Sequence, residues 1–524
     1  MDWLSHHLLT LTIIMPAAGA VVILVLGNGQ REVIRRVALG SSLVTFVLSY
    51  FLFKGFQPGG GFQFVALAPW ISNYGISYHV GIDGISLLLL LLTTFIVPVT
   101  ILAAFDSIHE RVKGFMAALL LMETGLLGVF ASLDLFLFYI FWEAMLIPMY
   151  FIIGVWGGRN RLYAAIKFVL FTMLGSLLML VAILALYNEG QAQLGYYTTN
   201  YLELVTLTLS PATQTWMFLA FGLAFAIKVP LFPLHTWLPD AHVEAPTPGS
   251  VILAAVLLKM GGFGFLRYCI PMFPLATARF TPLLVSLAVV SIIYGAMMAL
   301  VQTDMKKLVA YSSVSHLGFV VLGIFALSLQ SVTGGILQMV NHGLSTGALF
   351  LLVGMVYERT HTRKISDYGG LAAIMPRYAV AFIIVTLASI GLPGLNGFVG
   401  EFLIIVGSFG SQPVGAVVAV LGVILSAVYL LWMVHRVFYG PPGVVLGRAA
   451  GENDSRLVDL TRREWSVLLP LMAAIVMLGI YPRPFLERIE PSVNSLVTTY
   501  HEAVGAPRAD MSIPTAPGPP VPKE

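Results

Sequence analysis

Apolar runs of about 20 residues recur from one end of this chain to the other, each enough to cross roughly 30 Å of hydrocarbon. Hydrophobic residues make up 58% of the chain and charged residues 10%. A soluble domain carries roughly 25% charged residues, so no water-facing surface can be built from this inventory. Mean hydropathy is +0.90. The chain reads as an all-α polytopic membrane protein.

Bounding the runs by polar or Gly/Pro breaks gives about 14 spans. They fall near 8–26, 33–53, 84–105, 113–130, 132–154, 161–186, 213–232 and 248–270, then 282–302, 307–327, 332–357, 376–407, 413–437 and 466–482. With the N-terminus outside, the inside loops collect Arg31, Arg35, Arg36, Arg111, Lys113, Arg159, Arg161, Lys306, Lys307, Arg359, Arg363 and Lys364. Arg436, Arg448, Arg456, Arg462 and Arg463 join them, whereas the opposite loops carry little beyond Lys54 and Arg279. That asymmetry fits the positive-inside rule with both termini outside. Met1–Thr10 has no basic n-region, so no removable signal peptide is expected. Loops 54–82 and 187–212 are aromatic-rich and are expected at the membrane surface. The single Cys269 leaves no partner for a disulfide and no thiolate cage for a metal or iron–sulfur cluster.

One stretch organises the rest: FAIKVPLFPLHTWLPDAHVEAPTPGS, residues 225–250. Lys228 sits in an apolar run and is followed by Pro230 and Pro233. Each proline lacks an amide and clashes with the carbonyl four residues back, here those of Ala226 and Val229. An ammonium is thus expected where the helix opens and bare carbonyls can hold water. A second break, SIGLPGLNG at 389–397, interrupts the twelfth span. Five helices separate the two breaks, so broken helices 7 and 12 would cross in opposite directions. This is the pattern of two inverted five-helix repeats, about spans 4–8 and 9–13. The implied divisions are 1–112 (spans 1–3), 113–270 (first repeat), 282–437 (second repeat), 438–485 (inside loop and last span) and 486–524 (polar Pro-rich tail, disordered at its end).

A charge at mid-bilayer costs about 2.5–3.5 kcal/mol on insertion scales. Glu143, Lys167, Lys228, Lys259 and Glu401 all lie within spans, and Glu123 is equally deep. Static pairing that holds the bundle together explains one such residue better than six, two of them beside helix breaks. Burial disfavours an ammonium and a nearby carboxylate favours it. A Lys228 whose partner Glu143 approaches or withdraws would therefore take up and release a proton, with Lys259 and Glu401 continuing the route. His235, His316 and His342 are relay candidates, since imidazole changes charge near neutral pH. His242 is a secondary one, placed near the inside surface. Histidines bridging helices by hydrogen bonds alone are the plainer alternative. His235 and His242 are seven apart but Pro239 interrupts them, so a metal site is not indicated. GGFGF at 261–265 lacks the strand–turn–helix setting of a nucleotide fingerprint. Asp83, Asp134, Asp240, Arg359 and Asp367 read as helix caps or loop anchors.

FAIKVPLFPLHTWLPDAHVEAPTPGSVILAAVLLKMGGFGFLR resembles the proton-conducting antiporter-like subunits of respiratory complex I, whose relatives include multi-subunit cation/proton antiporters and membrane-bound hydrogenases. DLFLFYIFWEAMLIPMYFIIGVWG, DMKKLVAYSSVSHLGFV and GLPGLNGFVGEFLI extend the resemblance over about residues 80–440. It implies that Glu143 pairs with the broken-helix Lys228, that Lys259 is the central connecting lysine and that Glu401 is the acidic residue of the distal half-channel. Lys167, His235, His316 and His342 match positions on the hydrated axis. The resemblance further implies proton translocation driven by quinone reduction elsewhere, in a bacterial inner membrane, beside the further antiporter-like subunits L and N. No cofactor is implied in this chain; FMN, iron–sulfur clusters and quinone would belong to other subunits, and no nucleic acid is involved. A sodium/proton antiporter subunit and a non-pumping scaffold are the rival readings.

Overall fold

The computed structural model describes residues 2–59, 61–444 and 457–505. In chain order its long helices begin with α1 (Asp2–Val25), α2 (Arg31–Gly55), α3 (Gly84–Ser107), α4 (Val112–Ala131), α5 (Leu135–Trp156) and α6 (Arg161–Leu194). Then come α7 (Pro211–Lys228), the short α8 (Trp237–Glu244), α9 (Thr247–Met272), α10 (Pro274–Leu300), α11 (Met305–Phe325) and α12 (Leu329–Thr360). The last are α13 (Pro376–Ile390), α14 (Asn396–Phe409), α15 (Pro413–Phe438), α16 (Arg462–Ile480) and α17 (Arg483–Val504). Among the described residues twelve helices are long and apolar enough to cross a membrane. The pairs α7–α8 and α13–α14 are the two interrupted elements, and they break where the proline and glycine clusters stand.

Short polar side chains decide where these helices begin. Asp83 accepts from the amides of Ile85 and Ser86 to start α3, and Asp304 accepts from those of Lys306 and Lys307 to start α11. Asp134 starts α5 the same way, through the amides of Phe136 and Leu137. Each cap satisfies orphan amides that would otherwise face an apolar medium. The apolar windows of α9 and α12 are wholly buried and that of α11 is 94% buried, against 33–44% for α1, α2 and α16. The helices that carry Lys259, His316 and His342 are therefore at the centre, and the lipid-facing ones surround them.

The structure adds three features to the sequence reading. Loop 54–82 contains an antiparallel hairpin, Gln63–Ile71 with Ile76–Ile82, turned at Gly75 with φ +64°. The stretch after residue 485, read as polar tail, opens with most of α17. Its mean hydropathy hides a stripe of Ile489, Val493 and Tyr500, which is buried against the bundle. Ser492 accepts from the Gly84 amide at 2.9 Å and His501 meets the Leu327 carbonyl at 3.1 Å, fastening α17 across the helix ends. The Pro-rich stretch 506–524, Arg448 and Arg456 lie outside the described residues. Finally, Lys306, counted among the inside-loop residues between spans 282–302 and 307–327, is 5% exposed.

Candidate proton pathway

The first interrupted element ends α7 at Lys228. Pro230 and Pro233 break the helix as the sequence demands, but the Ala226 carbonyl is not left bare as expected. Leu231 donates its amide to Ala226 O at 3.0 Å, and the Trp237 indole donates to Ile227 O at 3.0 Å. The protein itself fills most of the gap the prolines create.

Lys228 is 1% exposed, and its Nζ lies 5.4 Å from the ring centres of both Trp142 and Phe168. That Nζ has no hydrogen-bond partner. Glu143 follows Trp142 directly and is close enough to act on the ammonium electrostatically, with one carboxylate oxygen buried and unbonded. The two charges are thus adjacent and unlocked, with aromatic faces taking the place of a direct ion pair. Glu143 stands at an irregularity of α5: the turn around Met145 is held by long bonds, Met145 N to Phe141 O and Met149 N to Met145 O, both 3.4 Å. Pro148 explains it, because it offers no amide to the Ala144 carbonyl.

Lys167 is pulled to one side. Its Nζ pairs with Asp240 of α8 at 2.7 Å. Asp240, read as a loop anchor, is therefore this lysine's counter-ion. His235 follows the break, 3% exposed, with Nδ1 unbonded and its ring 5.0 Å from that of Tyr294.

Lys259, His342, His316 and Glu401 form a second buried group. Lys259 lies between two π-helical turns, 253–257 and 265–269, in the middle of α9. Its Nζ bonds the Ala254 carbonyl and stands 2.6 Å from His342 Nδ1. Either nitrogen can be the donor across this contact, so the proton can sit on Lys259 or on His342 Nδ1. The His342 and His316 rings are 6.0 Å apart. His316 Nδ1 then reaches Glu401 Oε1 at 3.0 Å, and a carboxylate there fixes the proton on Nδ1. Gln338 donates to the same oxygen at 3.0 Å, and Tyr429 OH lies 3.4 Å from His316 Nε2. Asn341 and Asn396 exchange bonds of 2.7 and 3.2 Å, pinning α14, which carries Glu401, onto α12.

The two halves meet by close packing. A Cβ on Gly261 would stand 2.5 Å from the Phe225 carbonyl oxygen and from Val229 Cγ2, so α9 rests directly on the end of α7. Two candidates stay apart from this chain. Glu123 is wholly buried with both carboxylate oxygens unbonded. His242 is wholly buried, stacked on Phe350 with ring centres 4.6 Å apart.

Sequence reasoning missed Asp240, Gln338 and Tyr429. Gln338 could have been found, since it lies one turn from His342 on the same helix. Nothing in the sequence points to Tyr429, which comes from a distant helix.

Residues 132–426 match the family described as NADH:quinone oxidoreductase/Mrp antiporter, transmembrane. The chain is 48% identical to NADH-quinone oxidoreductase subunit M of Rhodobacter capsulatus over 518 residues, 95% of this chain and 98% of that one. Its fold resembles a chain of respiratory complex I from Thermus thermophilus with a TM-score of 0.84 and 35% identity, covering 94% of this chain and 99% of that one. It also resembles a chain of the Mrp complex from Dietzia, with a TM-score of 0.78, 21% identity and coverage of 95% and 55% respectively; this likeness shows the fold alone.

Proposed function

The chain belongs to the NADH:quinone oxidoreductase/Mrp antiporter transmembrane family, and from that premise we propose that it carries protons as the antiporter-like subunit M of a complex I membrane arm. Its counterparts in mitochondria would be the chains numbered 4. In this reading the chain crosses a bacterial inner membrane fourteen times, both termini outside, with the interrupted pairs completing the crossings. It stands beside subunits L and N, and FMN, iron–sulfur clusters and quinone belong to other subunits.

The observation that carries the reading is the unbroken series Lys259, His342, His316 and Glu401, buried end to end and held at hydrogen-bond or ring-contact distances. Four ionisable groups in succession are an expensive way to hold helices together and an economical way to hand on a proton. The input is the unlocked Glu143–Lys228 pair. Charge changes in a neighbouring subunit would draw Glu143 away, leaving the Lys228 ammonium without compensation in an apolar site. Its proton would then move toward Lys259 and leave beyond Glu401.

The Mrp-type alternative moves sodium against protons without NADH. NADH-driven acidification of inverted vesicles, with and without sodium, separates the two. Acidification that needs NADH and ignores sodium supports the proposal; sodium-dependent collapse of a preformed pH gradient in the absence of electron transfer overturns it.

A further inference from the structure

The pathway above lacks an entrance, and the buried cation Lys306 has no part in it. Lys306 opens α11 immediately beside the exposed Thr303 and Lys307, yet is itself 5% exposed. Its Nζ donates to the Ala245 carbonyl at 2.6 Å and lies 3.5 Å from that of Val243. Both carbonyls belong to the end of α8, the second half of the broken helix. Arg363 donates to Val243 O as well, at 3.0 Å, and pairs with Asp304 at 3.3 Å. Asp304, Arg363 and Glu244 are the other charged groups acting on Lys306.

His242 precedes Val243 and has no bond at either ring nitrogen. Its depth can be read from its neighbours. Phe350, on which it stacks, lies eight residues beyond His342 on α12, about 12 Å along a helix. Lys306 lies ten residues before His316 on the antiparallel α11, about 15 Å along it. His316 and His342 are level with each other, so His242 stands just above Lys306 and below the central chain. Lys306 and Lys259 both act on it electrostatically, and it acts on His342.

We infer that Lys306 is the proton-loading group on the side of the basic loops, delivering through His242 to the Lys259–His342 pair. An N–H bond of the Lys306 ammonium breaks as one forms on the neutral His242 imidazole, and the lysine amine takes its next proton from solvent. The second step, from the level of Phe350 to that of His342, spans about 12 Å along α12 and runs through water. This rests on the proton-carrying reading proposed above.

The competing role is mechanical: Lys306 merely caps α8, as Arg363 does. Arginine distinguishes the two, because a guanidinium can bond the same carbonyls but does not give up its proton. In inverted vesicles bearing the whole complex, Lys306→Arg is expected to leave the complex assembled. NADH oxidation and acidification should fall together by about tenfold or more, a conservative figure for losing a proton-transfer group. Full activity in Lys306→Arg overturns the inference and leaves Lys306 a cap. Should that variant not accumulate in the membrane, His242→Gln replaces it, since no bond of the ring is lost. The same fall is expected there, and wild-type acidification overturns the inference. If Lys228→Ala acidifies normally the underlying reading fails; if Lys228→Ala is inactive while Lys306→Arg is not, only this entrance fails.

Discussion

Lys259 Nζ and His342 Nδ1 stand 2.6 Å apart at the centre of the bundle, joining the helix that follows the first break to the helix that precedes the second. A lysine and a histidine at that distance cannot both be charged without strong repulsion, so the pair carries at most one positive charge. Sharing a proton across two helices suits transfer, whereas a static brace would use opposite charges.

Replacing His342 by leucine therefore leaves Lys259 with only the Ala254 carbonyl. NADH-driven acidification is expected to fall by about tenfold or more, as when a proton-transfer group is removed. Quantifying the complex in the same membranes checks that it still assembles. Normal acidification would show that the pair is dispensable.

Glu401 accepts from both His316 and Gln338. In Glu401→Gln the amide keeps the size and much of the bonding, so the fold should persist, but the group can no longer take a proton. Loss of acidification with retained assembly is expected. A subunit missing from the purified complex would instead assign Glu401 to packing.

Gly261 is where α9 touches the end of α7. A Cβ there meets backbone at 2.5 Å, which cannot yield as a flexible side chain could. Gly261→Ala should push the segment bearing Lys228 aside and lower oxidation and acidification together. Gly222→Ala is the control: its Cβ would meet only ordinary contacts, the nearest at 3.7 Å.

Much of this was legible in the sequence because bilayer physics leaves few choices. Apolar runs set the spans, Pro230 and Pro233 set the first break, and the ionisable residues within spans named the candidates. Which residues meet was not legible, since pairs such as His316 with Glu401 lie 85 positions apart. The same holds for Lys306. Its charge beside Lys307 resembles any loop residue, and only the fold shows carbonyls of α8 drawing it inside. The π-helical turns around Lys259 depend on packing, and the helix α17 was hidden because its buried stripe is narrow.

Asp83 and Arg267 form a second kind of buried pair, 2.6 Å apart, with side chains 9% and 7% exposed. Burial by itself pushes the Asp83 carboxyl up, but the Arg267 guanidinium and the bonds from Ser86 outweigh it and hold the group below its usual value. Its stabilisation is therefore fully present above the ordinary aspartate range, about 3.9, and is lost as pH falls through the lowered value. Arg267→Met should cost about 3–5 kcal/mol by leaving a buried carboxylate without its counter-ion. The thermal stability of the solubilised complex, followed from neutral pH downward, checks both effects. An unchanged midpoint in Arg267→Met would mean the pair contributes nothing.

The most direct measurement is NADH-driven acidification of inverted vesicles carrying Lys228→Ala, with NADH oxidation and complex content recorded on the same membranes. The account predicts that oxidation and acidification fall together while the complex remains assembled. Unchanged oxidation and acidification would contradict it, and would leave Lys228 a structural residue.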